Sequence, residues 1–199
     1  MKIQKEEAFR IKALEKRIKN GELEAMFDYA QLYLTRYPEE ITDEIAGRIV
    51  KYYEACMEAG DLAAALNLGA MYYGGEFVPH DFKKAKELYE RATQSEDYET
   101  QVRAWCNLGY CYYYGRDMDV DNEKAFNCYM HAALMRDSNA LYKIGDMYRY
   151  GRFVKKDEDI AMAFYRQTWE EAHDGKGRLA LFTPASAGPA PPPPCAGGS

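Results

Sequence analysis

A block of fixed spacing recurs three times in this chain: Ala64-x3-Leu68-Gly69-x2-Tyr72-x2-Gly75, then Ala104 to Gly115, then Ala140 to Gly151. Counting from the glycine that follows Leu or Ile, each copy also has Asp at +12 (Asp81, Asp121, Asp157), Ala at +16 (Ala85, Ala125, Ala161) and Tyr at +20 (Tyr89, Tyr129, Tyr165). The period is 40 residues from Gly69 to Gly109 and 36 from Gly109 to Gly145. Self-similarity at such a period predicts a solenoid, whose units bury their apolar faces only against their neighbours. Function in such a fold belongs on a surface, in a groove.

The repeat residues have physical duties. Apolar positions at helical spacing from Ala64 to Tyr73 predict a first helix with Leu68 and Tyr72 on one inward stripe. Gly69 sits on that stripe, and a mid-helix glycine costs about 1 kcal/mol relative to alanine. Its return in three copies predicts an approach by another helix closer than a Cβ allows. Gly75, Gly115 and Gly151 are placed to end that helix in a left-handed residue. Asp81, Asp121 and Asp157 then cap a second helix, accepting from its first amides and favouring the positive end of its dipole. Ala85, Ala125 and Ala161 supply close contacts, with Tyr89, Tyr129 and Tyr165 one turn along the same face. Each repeat thus reads as a helical hairpin. Stepping back 39 residues from Gly69 reveals a degenerate copy with Ala25, Ala30, Tyr33 and Ala46.

The pattern A-x3-[LI]-G-x2-Y-x2-G, with D, A and Y at the spacings above, resembles the Sel-1-like repeat, a relative of the tetratricopeptide repeat and here of bacterial type. The match covers about residues 25 to 172. The resemblance implies an all-α fold, a right-handed α/α superhelix (solenoid), that serves as an adaptor or scaffold and not as an enzyme. A secreted branch of the family carries a Cys-x7-Cys staple in each repeat, a spacing that Cys56, Cys106, Cys111, Cys128 and Cys195 do not reproduce. The expected organisation is an N-terminal capping helix over 1–20, a repeat solenoid over 21–172 with hairpins at about 21–60, 61–100, 101–136 and 137–172, and a tail over 173–199.

Composition sets bounds around this reading. An odd number of cysteines without a framework suits a reducing compartment, and the charged N-terminus does not resemble a signal peptide, so a cytoplasmic location is expected. Residues 1–20 carry a net charge of +4 against −10 for the rest of the chain. The apolar stripe Ala8, Ile11, Leu14 and Ile18 reads as a cap on the first hairpin, and the acidic body argues against nucleic acid as a partner. No apolar run approaches the roughly 18 residues of a membrane span. From Ala185 to Ser199 the chain has five prolines, three glycines and no charge, which reads as disordered; Pro191 to Pro194 could alternatively serve as a polyproline ligand. An uncapped last hairpin would expose Ile160 and Phe164, calling for a cover such as Leu179 to Phe182 or for self-association.

No site chemistry stands out. Cys106, Cys111, Cys128 and His131 offer soft ligands, but residues five apart on a helix point about 140° away from each other, so buried thiols are the better reading and no metal is expected. The serines and histidines fall into no nucleophile motif, so neither catalytic residues nor a cofactor are expected. Tyrosine is the excess: 18 in the chain. Carrying over the related tetratricopeptide geometry, helix positions −6, −3, +1, +4 and +5 face the concave groove. They are Tyr73 in the second copy; Arg103, Cys106, Tyr110, Tyr113 and Tyr114 in the third; and Asn139, Tyr142, Asp146, Arg149 and Tyr150 in the fourth. Tyrosine and arginine together are the residues of interface hot spots. The expected function is capture of a peptide or protein partner in this Tyr/Arg-lined groove; a weak hydrolase or small-molecule binder in the same groove is the alternative.

Overall fold

The structure, a computed structural model, describes residues 5–173. Among them the chain is all α, with no strand. Its helices are α1 (Lys5–Lys19), α2 (Leu23–Arg36), α3 (Asp43–Glu58), α4 (Leu62–Gly74), α5 (Phe82–Ala92), α6 (Tyr98–Tyr114), α7 (Asn122–Leu134), α8 (Ser138–Tyr150) and α9 (Glu158–His173). Two compact units divide between Leu108 and Gly109, inside α6. In the first, α1 packs on α2, α2 on α3, α3 on α4 and α4 on α5; in the second, α7 packs on α8 and α8 on α9. On α1 it is Ile11 and Leu14 that are buried, while Glu15 pairs with Arg48 of α3 at 3.0 Å. The expected tail, with its Leu179 to Phe182 cover and Pro191 to Pro194 ligand, lies beyond the described residues.

The second helix of each hairpin begins where the sequence puts its cap. Asp81, Asp121 and Asp157 accept from the amides of Lys84, Lys124 and Ile160, each at 2.9 Å. Their own amides donate back to the carbonyls of Tyr72, Tyr112 and Tyr148 at 3.0–3.1 Å. One residue therefore starts the second helix and clamps the end of the first. The first helices of the complete copies end in glycine at positive φ, +66° at Gly75, +57° at Gly115 and +66° at Gly151. The turn between the second and third hairpins comes slightly before the expected boundary at 100: Asp97 accepts from the amide of Thr100 at 2.8 Å, and α6 starts at Tyr98.

The degenerate copy keeps the same logic with other residues. Its +12 position is Thr42, whose hydroxyl accepts from Ile45 N–H at 3.3 Å and caps α3. Its first helix ends without a glycine, through Tyr37 and a single 3-10 turn over Pro38–Glu40. Thr42→Ala is expected to cost about 1 kcal/mol, a fall of about 2–4 °C in melting temperature for a chain of this size. Calorimetry of the variant beside wild type measures it, and an unchanged transition would remove the cap from the account.

The close approach demanded by Gly69, Gly109 and Gly145 is made by the +20 tyrosine of the same copy. A Cβ at these positions would lie 2.9, 2.5 and 2.6 Å from the Cε1 atoms of Tyr89, Tyr129 and Tyr165. Glycine and tyrosine are thus two halves of one contact. Two of the +3 tyrosines behave differently from the core role read in the sequence: Tyr72 and Tyr112 are half-buried and covered by cations. Lys84 Nζ donates to Tyr72 Oη at 2.9 Å and sits 4.4 Å from its ring centroid, and Lys124 Nζ sits 5.4 Å from that of Tyr112.

Candidate partner-binding surface

In the second unit, the end of α6 and the middle of α8 bring most of the expected groove residues together. Helical spacing stacks Tyr110 on Tyr114, with centroids 6.1 Å apart and planes at 9°, while Tyr113 meets Tyr114 edge-on at 5.0 Å. Tyr110 and Tyr113 also lean on Tyr129, at 5.7 and 6.2 Å, which leaves them only 8% and 5% exposed. Two rings the sequence assigned to the open groove are therefore its floor. From α8 comes Tyr142, tilted against Tyr165 at 5.1 Å and 48% exposed.

At the centre is a residue the sequence reading passed over, Lys143. Its Nζ lies 5.7, 5.6, 5.6 and 5.8 Å from the ring centroids of Tyr110, Tyr113, Tyr114 and Tyr142. It donates to Tyr114 Oη at 3.2 Å and to Asp146 Oδ2 at 3.4 Å. The side chains of Lys143 and Asp146 are 14% and 13% exposed. Burial acts to lower the lysine's pKa, but Tyr114 and Asp146 outweigh it and raise it. Asp146 spends its other oxygen, Oδ1, on the Tyr165 hydroxyl at 2.8 Å. Burial, then this bond, push the Tyr165 phenol above its ordinary value, and burial pushes up Tyr113 against the charge of Arg152. These phenols stay protonated at neutral pH, so they serve as rings and donors and not as bases.

Around this core, Arg149 lies exposed, 5.7 Å from the ring centroid of Tyr150, itself 62% exposed. Arg152, also passed over, places its guanidinium 4.4 Å from the centroid of Tyr113. The i, i+3 spacing of Lys143 and Asp146 on one helix was a signal for that pair. Arg152 follows the helix-ending Gly151, off the repeat register, and had none.

The remaining expected residues lie in the first unit. Tyr73 is 8% exposed, edge-on to Phe82 at 5.5 Å. Arg103 is exposed and, with Gln31, Leu34, Asn67, Met71 and Phe77, lines a depression of 280 Å3. Cys106, Cys111 and Cys128 are buried and His131 is exposed; among the described residues no three ligand-type side chains are grouped to hold a metal. Ile160 is 39% exposed, whereas Phe164 is half-buried and stacked on Tyr148 at 5.8 Å. No described helix is long and apolar enough to cross a membrane.

Comparison with known proteins agrees with this architecture. The Sel1 repeat model matches residues 62–97, 103–135 and 138–168. The alginate biosynthesis protein AlgK of Azotobacter vinelandii is 32% identical over 108 residues, which are 54% of this chain and 22% of that protein. A protective antigen present in uropathogenic Escherichia coli strains, displaying an SLR fold, superposes with a TM-score of 0.68 at 24% identity, covering 82% of this chain and 33% of the other. A Sel1 repeat protein from Oxalobacter formigenes superposes with a TM-score of 0.58 at 26% identity, covering 75% and 58%. The chain thus spans about a fifth of the length of AlgK and a third of that of the antigen.

Proposed function

We propose, from the premise that this chain belongs to the Sel1 repeat family, whose members mediate protein–protein interaction, that it is a non-enzymatic scaffold that takes a peptide or protein partner. The partner lies against the first helices of its hairpins. Tyr110, Tyr113 and Tyr114, with the largely buried Asp146, form the floor of the surface in the second unit, and Tyr142, Arg149 and Tyr150 form its accessible edge; Tyr73 and Arg103 belong to the first unit. The observation that carries this reading is the collection of half-exposed tyrosine rings and arginines over a rigid aromatic base. Such a surface offers large contact area, polar tips and little side-chain entropy to lose. Cysteines buried throughout the described chain support a reducing, cytoplasmic setting.

The test uses the exposed residues of the surface. Tyr142→Ala, Arg149→Ala and Tyr150→Ala combined remove exposed side chains and leave the buried floor intact. With hot-spot truncations worth about 2 kcal/mol each, affinity for a captured partner is expected to fall by at least about 30-fold while a single cooperative unfolding transition is kept. Partners bound equally by wild type and the triple variant would overturn the surface.

A further inference from the structure

The same surface carries a cation, Arg152, whose side chain makes no hydrogen bond among the described residues. The positive φ of Gly151, +66°, turns the chain so that the amide of Arg152 donates to the Met147 carbonyl at 2.9 Å. The guanidinium then lies over Tyr113, 4.4 Å from its centroid. A guanidinium whose carbon lies over a ring keeps N–H groups directed away from it, and a pair of them matches the two oxygens of a carboxylate. Among the described residues no carboxylate pairs with Arg152.

The neighbouring groups favour the same ligand. Asp146 is consumed, one oxygen by Lys143 and the other by Tyr165. Lys143 directs two of its three donors to Tyr114 and Asp146. Lys143 and Arg152 thus set two cations beside Asp146, while the charge of Arg149 is shared between Asp146 and Glu158. The aromatic cage that could attract a cationic ligand is already filled by Lys143. A second cation would meet the charge of Lys143, whereas the Asp146 carboxylate is already neutralised by it.

We propose that Arg152, lying over Tyr113 and reinforced by Lys143, is the specificity-determining site for an aspartate or glutamate side chain of the bound peptide. This rests on the partner-binding reading of the second unit. The carboxylate takes a pair of N–H groups of Arg152. The charge is read against a glutamine because the arginine's donors fit two acceptor oxygens and not an amide.

The test has two arms, both on the full chain. In the first, N-acetyl-glutamate N-methylamide and its glutamine analogue are titrated into 15N-labelled protein while the arginine Nε–Hε signals are followed. The Arg152 signal is expected to shift saturably with glutamate, at least about tenfold more weakly with glutamine, and exposed Arg166 is expected to show no saturation. Lys143→Met, checked for a single cooperative unfolding transition, should weaken the glutamate response severalfold. Equal responses to the two compounds, or none at Arg152, overturn the proposal. In the second arm, random 12-residue peptides displayed on phage are selected on wild-type protein. Enrichment of Asp and Glu, with the selected peptides binding Arg152→Gln at least tenfold more weakly, supports it. Neutral peptides indifferent to Arg152→Gln but lost on the Tyr142, Arg149 and Tyr150 triple variant overturn the carboxylate site and leave the surface standing. Peptides indifferent to both variants overturn the surface itself.

Discussion

Gly109→Ala lowers stability by about 2–3 kcal/mol, the upper part of the range for overpacking a rigid core, and the melting temperature by about 4–12 °C for a chain of this size. The added Cβ would stand 2.5 Å from Cε1 and 2.7 Å from Cδ1 of Tyr129. That ring is fully buried, wedged between Tyr110 and Tyr113, and has nowhere to move. Overpacking therefore outweighs the 1 kcal/mol or so that alanine contributes to helix propensity. The chain itself suggests the rescue: in the degenerate copy the glycine position is Ala30 and the +20 position is Val50. Tyr129→Val alone empties ring volume and costs about 3 kcal/mol or more. Combined with Gly109→Ala it should cost at least about 1 kcal/mol less than the two single losses added together. Gly74→Ala is the control, since a Cβ there meets nothing within 4 Å. A Gly109→Ala protein that melts with wild type would remove the glycine–tyrosine contact as the reason for the repeat.

That contact shows how far the sequence carries. Spacing located Gly109, Asp121, Ala125 and Tyr129 and their faces, because helical geometry fixes which positions of one helix share a side. It demanded a close approach at the glycine but did not name the ring that makes it, since the depth to which one helix's side chain enters the next is decided by packing between them. The candidate surface has the same limit. The register put Tyr110 and Tyr113 on an open face, but their rings are drawn onto Tyr129 and become floor. Lys143 at −2 fell outside the groove positions, yet its four-carbon stem carries the ammonium into the rings of α6. Arg152 needs the turn at Gly151 to reach Tyr113, and a loop residue's reach is not periodic. Thr42 was missed because it does for α3 with a hydroxyl what aspartate does in the other copies.

Asp146→Ala gives the second large effect, a loss of about 2–3 kcal/mol, because it strands an ammonium that the fold has largely taken from water. Removing one partner of a fully buried pair costs about 3–5 kcal/mol. The residual exposure of Lys143, 14%, and the rings around it reduce that figure. Tyr165 loses its acceptor in the same variant. Lys143→Met should cost less, about 1 kcal/mol. It leaves Asp146 with the Tyr165 hydroxyl and the nearby charge of Arg149, and it fills the cage with a thioether suited to aromatic walls. The double variant should recover at least about 1 kcal/mol relative to the sum of the two, since no lysine remains to be stranded. The pH dependence separates this from simple loss of packing. The Lys143 pKa is raised in the fold above 10.5, so its contribution is fully present below that value and is lost as pH rises through the folded pKa. The deficit of Asp146→Ala against wild type should therefore be constant from pH 7 to about 9.5 and shrink at higher pH, where wild type loses the same attraction. Chemical denaturation of both proteins across that range measures it. A deficit that keeps its size beyond pH 11 would mean that Asp146 acts through Tyr165 and packing, and that the lysine in the cage is held by the rings alone.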